Sequence, residues 1–460
     1  MAKRYLILGL GKSGLSAALY LRHQKAELVL ADTREKIDGL ELLKENFPKA
    51  GIFLGNLSLS LLNGVDVLVI SPGLSPEHPL VKEARRRCLE IIGDVELFCQ
   101  RASSPIIAIT GTNAKSTVVT LIAKMISDAG YSVGLGGNIG TPALELLDET
   151  NVEPDFYVLE LSSFQLESTP SLKAKVSAVL NVTPDHMDRY DSFEDYVSTK
   201  QRIYHNCDVA LFNRDDENTR PGKQVAKVVS FGTEKSDDTE KLPYSLEHTL
   251  TATYLLRGNE HILCADELRI SGEHNYLNCL AAMAVCDVIG IPGETQIKSL
   301  QEFSGLAHRC ETVADIAGVR WINDSKGTNV GASLAALNGF GKTFSQKIIL
   351  ILGGVSKDAT FSPLIKLINQ YVKKVLVYGQ DSAKIIADLT KGVNCPVDAF
   401  ESLEHVVNAA RSAAEDKDLV LFSPACASFD MFDNFEHRGD VFKNLVLGRA
   451  TSSSHRMEGV

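Results

Sequence analysis

No uninterrupted apolar stretch approaches membrane-spanning length, and Met1-Ala2-Lys3-Arg4-Tyr5-Leu6 leads straight into a predicted strand, so neither a spanning helix nor an export signal is expected. A C-x-x-C pair is also missing. Nine scattered cysteines, an odd number, fit neither a disulfide framework nor a zinc site, and a reducing cytoplasm is the expected setting. Basic charge is in deficit. With 47 Lys and Arg against 58 Asp and Glu the formal charge is −11, which disfavours nucleic acid and anionic membrane as partners. Any anionic ligand therefore needs cations gathered locally. What is present is an ordinary globular composition, 44% hydrophobic and 23% charged, over 460 residues. That length exceeds what one core supports and predicts two or three domains.

The chain is organised around Ile106-Ile107-Ala108-Ile109-Thr110, which reads as a buried strand, followed by Gly111-Thr112-Asn113-Ala114 and a helix from Lys115-Ser116-Thr117 onward. Small-residue loops at helix N-termini present unpaired N–H groups to anions, and a lysine completes the cradle. Lys115 is expected on the β/γ-phosphates of a nucleotide, with the Ser116 hydroxyl facing Mg²⁺. The general pattern G-x-x-x-x-G-K-[ST] is incomplete, because its glycines fall at Ile109 and Ala114. Should Ala114 need a positive φ, its methyl costs on the order of 1 kcal/mol.

Earlier in the chain, Tyr5-Leu6-Ile7-Leu8 precedes Gly9-Leu10-Gly11-Lys12-Ser13-Gly14, a helix, and a strand Leu28–Ala31 ending in Asp32-Thr33-Arg34. This is G-x-G-x-x-G with an acid after the second strand, a dinucleotide fingerprint that licenses a nucleotide-like ligand without choosing which. Val65–Ile70 is a further strand, ending in Ser71-Pro72-Gly73. Beyond the phosphate loop, Gly136-Gly137-Asn138 forms a glycine-rich turn, and Tyr157-Val158-Leu159-Glu160-Leu161 buries an acid among apolar residues. A carboxylate so placed is costly unless paired or metal-bound, which makes Glu160 a candidate Mg²⁺ ligand. His186 follows another strand, Lys200 lies on a predicted helix, and Asn275 and Asn278 share one helical face. A third α/β unit begins near Gly305, and its strands alternate with helices, so parallel sheets with sites at their carboxyl ends are expected throughout. Thr451 to Val460 read as a disordered tail.

The loop Gly111-Thr112-Asn113-Ala114-Lys115-Ser116 is similar to the G-T-x-G-K-[ST] loop of the Mur ligase and folylpolyglutamate synthase superfamily, with only the glycine before the lysine changed. The chain as a whole resembles the Mur ligases from Gly9 to Gly439. The resemblance is carried by Leu161–Leu166, His186-Met187-Asp188-Arg189-Tyr190, Asn323–Asn329 and Ser423–Asp430, the last continuing through Phe435-Glu436-His437-Arg438-Gly439. It implies an α/β protein of three domains: a Rossmann-like UDP-substrate domain (1–94), a central P-loop-type ATPase domain (95–305) and a Rossmann-like C-terminal domain (306–460) that closes on ATP and binds the amino acid. It implies an ATP-dependent ligase of peptidoglycan precursor synthesis, and the C-terminal segment looks like the type that adds D-glutamate to UDP-N-acetylmuramoyl-L-alanine through an acyl phosphate.

By the same resemblance, Gly111 to Thr117 hold the phosphates, and Ser116, Glu160, His186 and a carbamylated Lys200 surround Mg²⁺. Asn275 and Asn278 lie near adenine, Arg309 reaches ATP phosphate and Asp324 the ribose. Ser13, Asp32, Thr33, Arg34, Gly73, Asn138 and His186 meet the UDP-substrate, while Lys326, Thr328, Lys357, Ser428, Phe429 and Phe435 meet D-glutamate. The expected partners are these small molecules, with no nucleic acid and no membrane insertion, and the expected state is a monomer. The alternatives are another ligase of the superfamily, an NAD-dependent dehydrogenase built on the first fingerprint, and a binding protein whose catalysis is lost through Ala114.

Overall fold

In the computed structural model, which describes residues 3–37, 39–147, 152–222, 225, 227–235, 243–341, 343–356 and 359–449, the apolar runs form strands of three sheets. The first sheet contains β1 (Arg4–Leu8), β2 (Glu27–Asp32), β3 (Gly51–Leu54), β4 (Val67–Ile70) and β5 (Glu90–Ile92), all parallel in the order β3-β2-β1-β4-β5. Helices cover such a sheet on both faces, which is why β4 is apolar at every position. The strand order reverses between β1 and β4, and the loops leaving these strands meet there, Ser71 Oγ donating to Gly9 O at 2.7 Å.

The second sheet contains β6 (Ile106–Thr110), β7 (Val133–Gly137), β8 (Phe156–Glu160), β9 (Val176–Val179), β10 (Val209–Asn213), β11 (Val228–Phe231), β12 (Tyr244–His248), β13 (Thr253–Arg257) and β14 (Glu260–Cys264). Their order is β14-β13-β12-β11-β10-β9-β6-β8-β7, so the strand leading into the phosphate loop lies between β9 and β8. The third sheet contains β15 (Glu311–Ile316), β16 (Val319–Asn323), β17 (Ile348–Gly353), β18 (Val372–Tyr378), β19 (Val397–Phe400) and β20 (Leu419–Phe422), in the order β15-β16-β20-β17-β18-β19.

The expectation of parallel sheets throughout needs correction among the described residues. β12 and β13 pair antiparallel, as do β15 and β16. In each case the connection is too short to cross over. Ala317 and Gly318 take φ of 50° and 76° between β15 and β16, the two-residue turn that suits a hairpin. Between β12 and β13, Ala252 N–H donates to Thr249 Oγ1 at 3.0 Å and closes a four-residue turn.

The molecule divides into two compact units, one comprising 1–182, 189–263 and 279–300, the other 183–188, 264–278 and 301–460. The first two sheets share the first unit because one core runs from Ile7 and Leu30 through Val95 and Phe98 to Ile106 and Tyr157. Phe98, on the helix Asp94–Arg101, meets Tyr157 edge to face at 4.9 Å between centroids. In the second unit the alternate residues of β17 serve separate cores, Leu350 and Leu352 on one face, Ile349 and Ile351 on the other. All nine cysteines are free thiols, and among the described residues no helix is long and apolar enough to cross a membrane. The tail 451–460 lies outside the described residues.

Candidate active site

β6 delivers its chain into the loop with Gly111 at φ 153°, and the helix Lys115–Asp128 begins directly after Ala114. A Cβ on Gly111 would stand 3.2 Å from Leu180 Cβ and 3.3 Å from Asn181 N, so the backbones approach too closely for a side chain. Ala114 adopts φ 68° and ψ −8°, the left-handed conformation that the sequence flagged as a cost. Asn181, at the end of the β9 segment, braces this strained turn. Its carbonyl accepts from Thr112 N–H at 2.9 Å, its Oδ1 accepts from Asn113 N–H at 2.8 Å, and its Nδ2 donates to Asn113 O at 3.1 Å. The Thr112 and Asn113 amides are thus turned onto Asn181. The amides of the helix's first turn have no acceptor within the helix, and it is there that helices favour an anion.

Two lysines converge on the loop. Lys115 Nζ donates to Gly111 O and Thr112 O, and Lys200 Nζ donates to Gly111 O, each at 2.9 Å. Lys200 is only 2% exposed, with its ammonium 4.6 Å from the centre of the Tyr196 ring, so it is no surface lysine. Tyr196 OH lies 3.1 Å from Thr112 Oγ1. Neither Asn181 nor Tyr196 stands out in the sequence as a site residue.

Glu160 ends β8 beside β6, where Ile109 is its register partner. It is 3% exposed, Oε2 accepting from Ser116 Oγ at 2.6 Å and Oε1 from Asn138 Nδ2 at 2.7 Å. The Gly136-Gly137 pair has a steric reason: a Cβ on Gly137, at φ 100°, would lie 2.4 Å from Glu160 O. A hydroxyl and a carboxylate side by side are the hard oxygen donors that Mg²⁺ takes, so Ser116 and Glu160 fit that ion. Close by in sequence, Ser162 and Gln165 form a capping box on the helix Ser163–Glu167. Arg189 bonds Glu167 at 2.8 Å, lies 3.8 Å over the Phe164 ring, and donates to Pro72 O at 2.9 Å. The segments Leu161–Leu166 and Arg189–Tyr190 are thereby joined to the loop after β4.

In the first sheet, Asp32 is 3% exposed and fully engaged: Leu10 N–H donates to Oδ2 at 2.7 Å, and Arg34 reaches both oxygens through N–H, Nε and Nη2 at 2.8–2.9 Å. Burial by itself would raise its pKa; the Arg34 guanidinium and the two amides overcome this and hold it at about 2. Thr33 and Gly73 are exposed, and Ser13, half-buried, opens the helix Lys12–His23 next to buried Asp94.

The remaining expected residues belong to the second unit. His186 takes φ 57°, its N–H donating to Asp185 Oδ1 at 2.9 Å; Asp185 Oδ2 also accepts from Asn329 Nδ2 at 3.1 Å. Asn278 Nδ2 donates to Asn275 Oδ1 at 3.3 Å, and Asn275 Nδ2 to Ser271 O at 2.9 Å, so the two amides do share a face. Asp324 follows β16 and accepts from Cys310 N–H at 3.2 Å and Ser423 Oγ at 2.7 Å. Burial pushes its carboxyl up to about 6 in spite of these bonds and of neighbouring Arg309. Lys326 Nζ stands 3.9 Å from the centre of the half-buried Phe435 ring, and Thr328 N–H donates to Lys326 O at 2.7 Å. Ser428 is buried whereas Phe429 is 72% exposed. Lys357 lies outside the described residues.

Three family models match in chain order: "Mur ligase MurD-like, N-terminal domain" over 3–93, "Mur ligase middle domain" over 109–286 and "Mur ligase, glutamate ligase domain" over 308–426. A UDP-N-acetylmuramoylalanine--D-glutamate ligase of Legionella pneumophila is 43% identical over 96% of this chain and 99% of its own length. A ligase of the same name from Haemophilus influenzae is 44% identical over 96% and 98%. Among solved structures, the UDP-N-acetylmuramate-alanine ligase MurC of Thermotoga maritima has a TM-score of 0.60 at 21% identity, covering 97% of this chain and all of that one. The Thermotoga maritima MurF ligase in complex with ADP has a TM-score of 0.61 at 16% identity, covering 98% and 99%. These two share the fold. With relatives above 40% identity along almost its full length, the chain belongs to the Mur ligase family.

Proposed function

We propose that the protein is an ATP-dependent ligase that joins D-glutamate to the alanine carboxylate of UDP-N-acetylmuramoyl-L-alanine, in three domains bounded at 1–94, 95–305 and 306–460. The observation that carries this reading is the convergence of Lys115, Lys200 and the Ser116–Glu160–Asn138 chain on one small-residue loop at a helix N-terminus. The naming of the relatives at 43–44% identity supports the choice of amino acid.

Joining two anions, a carboxylate and a γ-phosphate, requires positive charge fixed in place before reaction. Lys115 leaves its two carbonyl acceptors for the β/γ-phosphates, and the first-turn amides of the helix Lys115–Asp128 supply the rest of the cradle. Ser116, Glu160, His186 and a carbamylated Lys200 would hold Mg²⁺, which would neutralise phosphate charge. Lys200 is buried with its Nζ on Gly111 O, which puts the amine at the phosphate loop where a carbamylated side chain would be needed. Asn138, by fixing Glu160 on one side, is free to offer its remaining groups to the UDP-substrate. Asn275 and Asn278 meet adenine, Arg309 a phosphate, and Asp324 the ribose. Ser13, Asp32, Thr33, Arg34 and Gly73 take the uridine diphosphate end, and Lys326, Thr328, Lys357, Ser428, Phe429 and Phe435 take D-glutamate. The alanine carboxylate takes the γ-phosphoryl group of ATP with release of ADP, and attack by the D-glutamate amine on the resulting acyl phosphate gives the amide and releases phosphate and a proton. A cytoplasmic monomer completes the proposal.

Amino-acid choice is the discriminating test. Phosphate release with D-glutamate but not with L-glutamate or a diamino acid is expected; turnover with a diamino acid and none with D-glutamate would move the chain to another branch of the family.

A further inference from the structure

A guanidinium is buried at the carboxyl edge of the third sheet. Arg438, 0% exposed on the helix Phe435–Leu447, donates through Nε to Ser325 Oγ at 3.0 Å and through Nη2 to Ser325 O at 2.7 Å. Its Nη1 donates to Cys426 O at 3.0 Å and Gly353 O at 3.4 Å. Ser325 Oγ in turn donates to Phe435 O at 2.8 Å. The acceptors are the chain just past β16, the last residue of β17 and the chain just past β20, which are neighbours in the order β16-β20-β17. Among the described residues, no carboxylate lies within 4.0 Å of this side chain.

A buried cation facing only neutral acceptors is expensive, and an apolar side chain of similar volume would fill the space at lower cost. What an apolar side chain cannot do is hold three loop roots at fixed spacing, whereas the planar fork of arginine does so with donors in one rigid plane. The residues assigned to D-glutamate follow these roots directly: Lys326 and Thr328 after Ser325, Ser428 after Cys426, and Phe435 on Arg438's own helix. Gly354 is required by the same close packing, since a Cβ there would stand 2.1 Å from Ala427 O and 3.2 Å from Arg438 Nη1.

We propose that Arg438 is the positioning residue of the amino-acid subsite, its fork setting the relative placement of segments 325–328, 353–356 and 426–428. The inference rests on the reading of the chain as a D-glutamate ligase. It predicts that loss of the fork weakens D-glutamate selectively, because the other two substrates are held mainly by residues on other segments.

The test measures phosphate release by the full chain with each substrate varied in turn, for the parent, Arg438→Met, Arg438→Lys and Ser325→Ala, with a thermal melt of each. Arg438→Met is expected to raise the KM for D-glutamate tenfold or more and those for ATP and UDP-N-acetylmuramoyl-L-alanine less than threefold. Arg438→Lys, which keeps the charge but cannot span the three acceptors, should raise the same KM by less. Ser325→Ala removes one hydroxyl of the tie, should shift the D-glutamate KM severalfold, and carries the test if Arg438→Met does not fold. An unchanged D-glutamate KM in folded variants, or all three KM values rising together, overturns the positioning role. A parent inert with D-glutamate removes the substrate reading and this inference with it; an active parent with unshifted variants removes only the role of Arg438.

Discussion

Ala114 is the residue at which the chain departs from its family's loop, and its φ of 68° shows that the backbone keeps the glycine-type conformation regardless. The strain is about 1 kcal/mol, small enough to be outweighed by the Asn181 bonds to the same turn. Ala114→Gly should therefore raise stability by about 1 kcal/mol or less and leave the affinity for an ATP analogue within threefold, as read by calorimetric melting and titration. A silent parent with an active Ala114→Gly variant would instead mean a disabled loop. Asp324 gives a second test at this scale. Its folded pKa of about 6 lies above the unfolded value of ~3.9, so its contribution to stability is full below pH ~4 and is lost as pH rises through about 6. The stability of the parent relative to Asp324→Asn should accordingly fall between pH 4 and pH 7 in denaturant titrations; a pH-independent difference would contradict the buried setting. Residues such as Lys115, Ser116 and Glu160 were legible because their chemistry follows from their immediate neighbours. Lys200 was reached only through the family resemblance, since a lysine on a helix gives no sign of burial until Tyr196 and Gly111 are seen packed around it.

At the scale of elements, the parallel strands could be read from continuous apolar runs, and the loops at their carboxyl ends from glycine and Ser-Pro. The hairpins could not. β12, β13 and β15 are short, partly exposed and mixed in polarity, and their antiparallel pairing depends on turn geometry at Thr249–Ala252 and Ala317-Gly318. The braces between elements were equally hidden: Asn181 bonds Asn113 across 68 residues, and Arg438 bonds Ser325 across 113. Local spacing carries no information about such pairs. Asn181→Ala should free the Asn113 amide and carbonyl together, lowering stability by about 1–2 kcal/mol and raising the KM for ATP severalfold while the KM for D-glutamate holds. Equal effects on every substrate would show that the brace supports the fold without shaping the phosphate loop.

For the whole molecule, the distribution of cations answers the problem posed by a net charge of −11. Lys115 and Lys200 meet at Gly111 O, Arg34 is tied to Asp32 at the first sheet, and Lys326 and Arg438 lie at the carboxyl edge of the third. These five cations at sheet ends suit the proposed reaction, whose three substrates are all anionic. The most direct measurement is phosphate release from ATP with UDP-N-acetylmuramoyl-L-alanine and D-glutamate supplied singly and together. Release that requires both is the predicted result. Release independent of either, or none with both present, would contradict the assignment of this chain as a D-glutamate-adding ligase.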